Sequence, residues 1–107
     1  MGAFNTVAAE LHCPRCGTSS EVRVQFRYGR TWQLAYSVGD TLEWGGNDVG
    51  DRATPRVVVE GVVEEACPHC GFDDWDAHVF VEMGLITRVK SAAGEHVFGE
   101  VPFKPLP

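Results

Sequence analysis

The sequence predicts an all-β protein, and three observations predict it. Glu21 to Tyr28 (EVRVQFRY) alternates Val22, Val24, Phe26 and Tyr28 with Glu21, Arg23, Gln25 and Arg27, the period of a half-buried strand. Arg56 to Glu65 (RVVVEGVVEE) is rich in β-branched valine, which favours a pleated surface. No stretch sustains the 3.6-residue apolar spacing of an amphipathic helix; residues 4–11 are expected to form one short helical turn at most.

The remaining elements follow from turn residues. Thr31 to Tyr36 (TWQLAY) alternates Trp32, Leu34 and Tyr36 with Gln33 and Ala35, and Gly29 before it marks a hairpin with the preceding strand. A two-residue loop would put the arginine row beside the aromatic row. A three-residue loop, Gly29 to Thr31, sets Tyr28 against Trp32, Phe26 against Leu34 and Val24 against Tyr36. That buries one apolar face and leaves Arg23, Gln25 and Arg27 outside, so the three-residue register is expected. Gly39-Asp40 reads as a turn, Thr41 to Trp44 as a short strand, and Gly45 to Asp51, with its glycines, Asn47 and aspartates, as a loop. Ala77 to Lys90 reads as two strands turning at Met83-Gly84. Ser91 to Glu95 is another turn and His96 to Val101 a last strand. Residues 102–107 (PFKPLP) are expected to be a tail, because proline cannot donate to a ladder. The expected organisation is one domain over residues 1–101 followed by the proline-rich tail.

At 107 residues the chain is about one domain long. Its 44% apolar and 22% charged content is ordinary for a globular protein. No apolar run approaches a membrane span, and no basic start followed by an apolar block suggests a secretory leader. No membrane association is expected. The formal net charge is −6, with the acidic excess in the second half. Phosphate binding draws on Lys and Arg, so nucleic acid is disfavoured as a partner.

All four cysteines fall in two matching units, Cys13-Pro14-Arg15-Cys16-Gly17 and Cys67-Pro68-His69-Cys70-Gly71. Two residues between the cysteines let a tight turn aim both sulfurs at one point. Pro14 and Pro68 preset φ for that turn. Gly17 and Gly71 permit a left-handed backbone just after it. Backbone N–H groups can then donate to the thiolates. Four thiolates complete a tetrahedral structural site with no open position.

The doubled C-P-x-C-G motif resembles the zinc-ribbon and rubredoxin-like knuckle families. The resemblance implies two turns at the tips of β-hairpins that clasp one metal, Zn²⁺ in the main reading, through Cys13, Cys16, Cys67 and Cys70. The chain departs from the compact form of those families, because residues 18–66 stand between the knuckles. The fold expected is therefore a zinc-ribbon-like clasp elaborated by an inserted antiparallel sheet of several hairpins. Other cysteine chemistries fit this sequence less well. A dithiol oxidoreductase would need a helix after Cys70, where the chain reads GFDDWD, and has no use for a second matching pair. Structural disulfides need an oxidising compartment. Iron in the same four-sulfur site would carry single electrons.

No residues outside the cysteines assemble a catalytic constellation. His12 and His69 border the cage without being needed as ligands. His78 and His96 lie far apart in sequence, and a second metal site made from them is a minor alternative. Asp73, Asp74 and Asp76 read as a solvated turn. The expectation is a cytoplasmic, non-enzymatic binding or accessory module that meets a protein partner. Its candidate interaction surface is Arg23, Arg27, Arg30, Trp44 and Trp75. The alternatives are a single-stranded nucleic-acid reader using Arg23, Arg27, Arg30 and Trp32, and a rubredoxin-like iron electron carrier.

Overall fold

The computed structural model describes residues 4–92, 94 and 96–107. The described residues form nine strands: β1 (Asn5–His12), β2 (Ser19–Phe26), β3 (Gly29–Arg30), β4 (Ala35–Ser37), β5 (Asp48–Val49), β6 (Arg56–Val63), β7 (Asp76–Glu82), β8 (Leu85–Ser91) and β9 (Phe103–Pro105). Among the described residues there is no helix, and the all-β expectation is met. The main sheet runs β4-β1-β2-β6-β7-β8, with β9 beside β6; β3 and β5 form a small second sheet.

The main sheet curls until its ends meet. Gly39 N–H donates to the Ile86 carbonyl at 2.7 Å, Ile86 N–H to Asp40 at 3.0 Å, and Leu42 N–H to Gly84 at 2.8 Å. The segment after β4 thus covers the free side of β8. Closing a sheet removes the unpaired edges that invite other chains. The interior is filled by alternate residues of each strand, among them Val7, Leu11, Val24, Phe26, Val59, Val79 and Ile86, all buried. Gly61 interrupts the valines of β6 for a packing reason. It stands opposite Phe26 on one side and Ala77 on the other, and a Cβ there would approach Val24 Cγ1 to 2.5 Å.

The structure corrects several local expectations. Residues 5–12 are a full strand, paired with β2 from Asn5↔Phe26 to His12↔Ser19. The helix formers Ala8, Ala9, Glu10 and Leu11 suggested a turn of helix, but the period-2 burial of Asn5, Val7, Ala9 and Leu11 against β2 outweighs propensity. With β1 in that position, the 21–28/32–36 hairpin does not form. Chain 35–37 instead pairs in parallel with β1, Thr6↔Ala35 to Ala8↔Ser37, on the far side from β2. The predicted division of faces still holds for β2: Val22, Val24, Phe26 and Tyr28 are buried while Arg23 and Arg27 are exposed. Trp32, expected inside, is 58% exposed.

Asn5 explains this crossing. It is fully buried; its Nδ2 donates to the carbonyls of Tyr28 (3.2 Å) and Arg30 (2.9 Å), and its Oδ1 accepts from Leu34 N–H (3.1 Å). One side chain satisfies the backbone of the segment that leaves β2, freeing it from the ladder.

Thr41 makes an isolated bridge to Leu85, and Thr41 to Trp44 is otherwise not a strand. The turn at Met83-Gly84 is present, with both residues at positive φ as a two-residue hairpin turn requires. Residues 96–101 form no strand. Of the predicted turn at 91–95, positions 93 and 95 lie outside the described residues.

The proline-rich 102–107 segment is correspondingly not a loose tail: Val57↔Pro105, Val58↔Lys104 and Val59↔Phe103 pair antiparallel. Leu106 N–H donates to Arg56 and Glu60 N–H to the Pro102 carbonyl, so the ladder uses the even-numbered residues. Pro105 falls at an odd position, where its missing donor faces away from β6.

Tyr28 is buried below the small sheet, its hydroxyl donating to the Asp51 carbonyl at 3.1 Å. Gly50, at φ +86°, lies against it, and an added Cβ would overlap the Tyr28 ring. Gly50→Ala is expected to cost about 2–4 kcal/mol through combined strain and overpacking. A urea midpoint equal to that of the parent chain would refute this reading of the loop.

Candidate metal centre

Two hairpins carry the cysteines. Cys13 to Thr18 caps β1–β2, beyond the His12↔Ser19 pair. Cys67 to Phe72 lies in the connection between β6 and β7, which is closed by Val63 N–H donating to the Trp75 carbonyl at 3.0 Å. β2 and β6 are neighbours, paired at Val24↔Val63, and the ladder continues toward the knuckles with Glu64 N–H donating to Arg23 O at 2.9 Å. Both tips therefore emerge from the same end of the sheet.

The two knuckles repeat one hydrogen-bond pattern. Gly17 N–H donates to Cys13 O and Gly71 N–H to Cys67 O, each at 2.8 Å. Cys13 N–H donates to Thr18 O at 3.0 Å, and Cys67 N–H to Phe72 O at 2.8 Å. Gly17 and Gly71 take φ of +75° and +78°, the left-handed backbone inferred for them from the motif.

The four Sγ atoms lie within 4.8 Å of one another. Cys13 and Cys70 sulfurs are 3.7 Å apart, as are those of Cys16 and Cys67, so the nearest contacts named here cross from one knuckle to the other. Tetrahedral ligation at about 2.3 Å from the ion places sulfurs roughly 3.8 Å apart. The donor set thus fits a single four-coordinate thiophilic metal. Among the described residues no other group of three or more His, Cys, Asp or Glu brings its ligand atoms so close. All four cysteines are free thiols.

Local donors prepare the sulfurs for this role. The Thr18 hydroxyl, with the Thr18 N–H, holds the Cys16 thiol down to about 6. Burial raises Cys13, but N–H groups of Cys16 and Arg15 outweigh it and lower the thiol overall; the Arg15 N–H stands 3.4 Å from Cys13 Sγ. The Phe72 N–H lowers Cys70, yet burial and the three neighbouring sulfurs push it up to about 11. In metal-free protein the local donors thus favour the thiolate most at Cys16 and the thiol at Cys70. Cys16 is also exposed. It is expected to be alkylated by iodoacetamide ahead of the other three, with the rate falling below about pH 6 as the thiolate protonates. Peptide mass mapping checks this; alkylation starting at Cys70 would contradict it.

Beneath the first knuckle, Trp75 is 1% exposed. Its Nε1 donates to Ser91 Oγ at 2.9 Å, and Ser91 Oγ donates to the His12 carbonyl at 2.6 Å. This relay joins the start of β7, the end of β8 and the end of β1, next to Cys13. Trp75 belongs to the core that holds the clasp and is withdrawn from any surface.

The other residues of the candidate interaction surface differ in their partners and exposure. Arg23 bridges Glu64 at 3.4 Å and Arg30 bridges Glu43 at 3.7 Å. Arg27 is exposed. Trp44 is half-buried, its ring edge-on to Tyr28 at 5.5 Å. Asp73 and Asp74 are exposed in the connection to β7, and Asp76 opens that strand.

Sequence reasoning missed the residues that support the site without binding anything. Thr18 and Ser91 carry no motif, and Asn5 reads as an ordinary polar residue. For Asn5 and Ser91 the signal is spatial, since each bonds to a distant segment of the chain; Thr18 instead acts within its own turn, two residues from Cys16. No family model matches the chain, and neither a curated protein nor a solved structure matches it.

Proposed function

We propose that the chain is a structural-zinc protein in which Cys13, Cys16, Cys67 and Cys70 hold one Zn²⁺, and that it serves as a cytoplasmic, non-enzymatic binding or accessory module for a protein partner. The observation that carries this is the closed donor set: four thiols from two hairpin tips fill every position of a tetrahedral ion. An ion so enclosed has no place for substrate, so its work is to clasp. Free cysteines suit a reducing compartment. Exposed apolar side chains support a docking role: Met83 is 78% exposed, and Val38, Leu85 and Trp32 are exposed as well.

Elemental analysis of protein purified from its native host tests the metal: one zinc per chain is expected, and one iron with the red colour of a ferric four-thiolate centre would favour electron transfer instead. Cross-linking in the host followed by mass spectrometry tests the partner. Recovery of a protein cross-linked through residues 30–44 or 83–85 is expected; a complete lack of cross-links would overturn the accessory reading.

Exposed Trp32, whose indole nitrogen lies against Gly46 together with the Arg30 side chain, favours single-stranded nucleic acid as the second reading. Anisotropy with a labelled oligonucleotide decides it. Binding that weakens with salt and with Trp32→Ala would support it, and no binding at low salt would eliminate it.

A further inference from the structure

On the outer face of β6 and β7 the fold brings together two histidines that stand 18 positions apart in the chain. The rings of His78 and His96 lie 5.1 Å apart between centres, at 71°. His78 is buried, while His96 is half-buried and its Nδ1 is a buried atom with no hydrogen-bond partner. Both line a cleft of about 250 Å³ shared with Glu60, Asp74, Asp76 and Phe98. Glu60 is the cross-strand partner of His78, and Asp76 is two residues before it on the same face of β7. Lys90, from β8, is the cross-strand partner of His78 on the opposite side. Among the described residues no Lys or Arg lines the cleft itself.

We infer that this cleft is a second metal site, taking a divalent first-row transition-metal ion through His78 and His96. Imidazole is a ligand of choice for such ions. An ion about 2.1 Å from one nitrogen of each ring holds the ring centres roughly 4.6–5.3 Å apart, and the observed separation lies in that interval. Two imidazoles are two donors. The carboxylates are not yet close enough to count with them, so binding must draw one in. Glu60 is best placed, since its side chain starts directly opposite His78. The remaining positions go to water, which makes this an open site, unlike the closed cysteine clasp. Its ligands share no residue with that clasp, so either site can exist without the other.

The test uses the full chain, free of any histidine tag, with its cysteine site loaded with zinc. Ni²⁺ is titrated by calorimetry, and bound metals are counted after desalting. The expected result is one nickel bound per chain with the zinc retained. Paramagnetic broadening of the ring resonances of His78 and His96 should exceed that of His12 and His69. Changing a residue that only supports a metal ligand costs roughly 10- to 100-fold in affinity, and losing a ligand costs at least as much. His96→Gln, at a half-buried position, should therefore weaken nickel binding by roughly tenfold or more and leave one zinc in place. Glu60→Gln should weaken it less. No nickel binding, equal binding by His96→Gln, or broadening centred on His12 and His69 would each overturn the proposal. The broadening needs no variant, so it decides the matter even where a substitution disturbs folding.

Discussion

Replacing Cys67 by serine is expected to abolish stoichiometric metal binding and to lower the melting temperature of the metal-loaded protein by roughly 20 °C or more. Serine keeps the shape but cannot supply a thiolate. Cys67 is buried and belongs to the same core as Cys13, Trp75 and Val63. The ion it would hold joins two hairpins whose knuckles are far apart in sequence. Structural zinc sites bind with about 10–16 kcal/mol of apparent free energy near neutral pH, and where no site exists in the unfolded chain that free energy supports folding. Chelation of the parent protein should produce the same loss as the substitution. Calorimetric melting with and without a chelator checks both. A Cys67→Ser variant that melts with the parent and keeps its metal would sink the clasp.

Trp75→Ala is expected to cost about 3–5 kcal/mol, the range for deleting a large buried aromatic side chain. For a domain of this size that corresponds to a fall of roughly 15 °C or more in melting temperature. Its position makes the effect more than a cavity. The indole N–H anchors Ser91, and Ser91 anchors the last residue of β1 before Cys13. Metal affinity should fall as well, because the first knuckle loses its footing. Trp75→Phe separates the contributions: it keeps most of the volume, loses one hydrogen bond, and should cost about 1 kcal/mol more than packing alone. Both variants melting within a few degrees of the parent would show that the relay is incidental.

What was legible in the sequence was whatever depends on neighbours along the chain. The C-P-x-C-G units act over five residues, and their left-handed glycines and shared turns follow from those residues alone. The buried face of β2 was likewise readable, because alternation is a property of one strand. Pairing was not readable. Residues 32–36 alternate as a partner for β2 would, yet Asn5 bonds the backbone at Tyr28, Arg30 and Leu34 and sends the chain to the far side of β1. The strand nature of β1 was hidden by helix-forming residues whose preference is smaller than the burial they gain. β9 was hidden by its prolines, which forbid pairing only where a donor is needed. Trp75 was misread for a similar reason: it sits in an acidic stretch that looks solvated, but its ring fills the floor beneath the clasp.

The central claim is that four cysteines from two hairpin tips hold a single ion, and X-ray absorption at the metal edge tests it most directly. One metal per chain surrounded by four sulfurs at about 2.3 Å is the predicted result. A first shell containing nitrogen or oxygen, fewer than four sulfurs, or a protein that is fully folded without metal at the cysteines would contradict it.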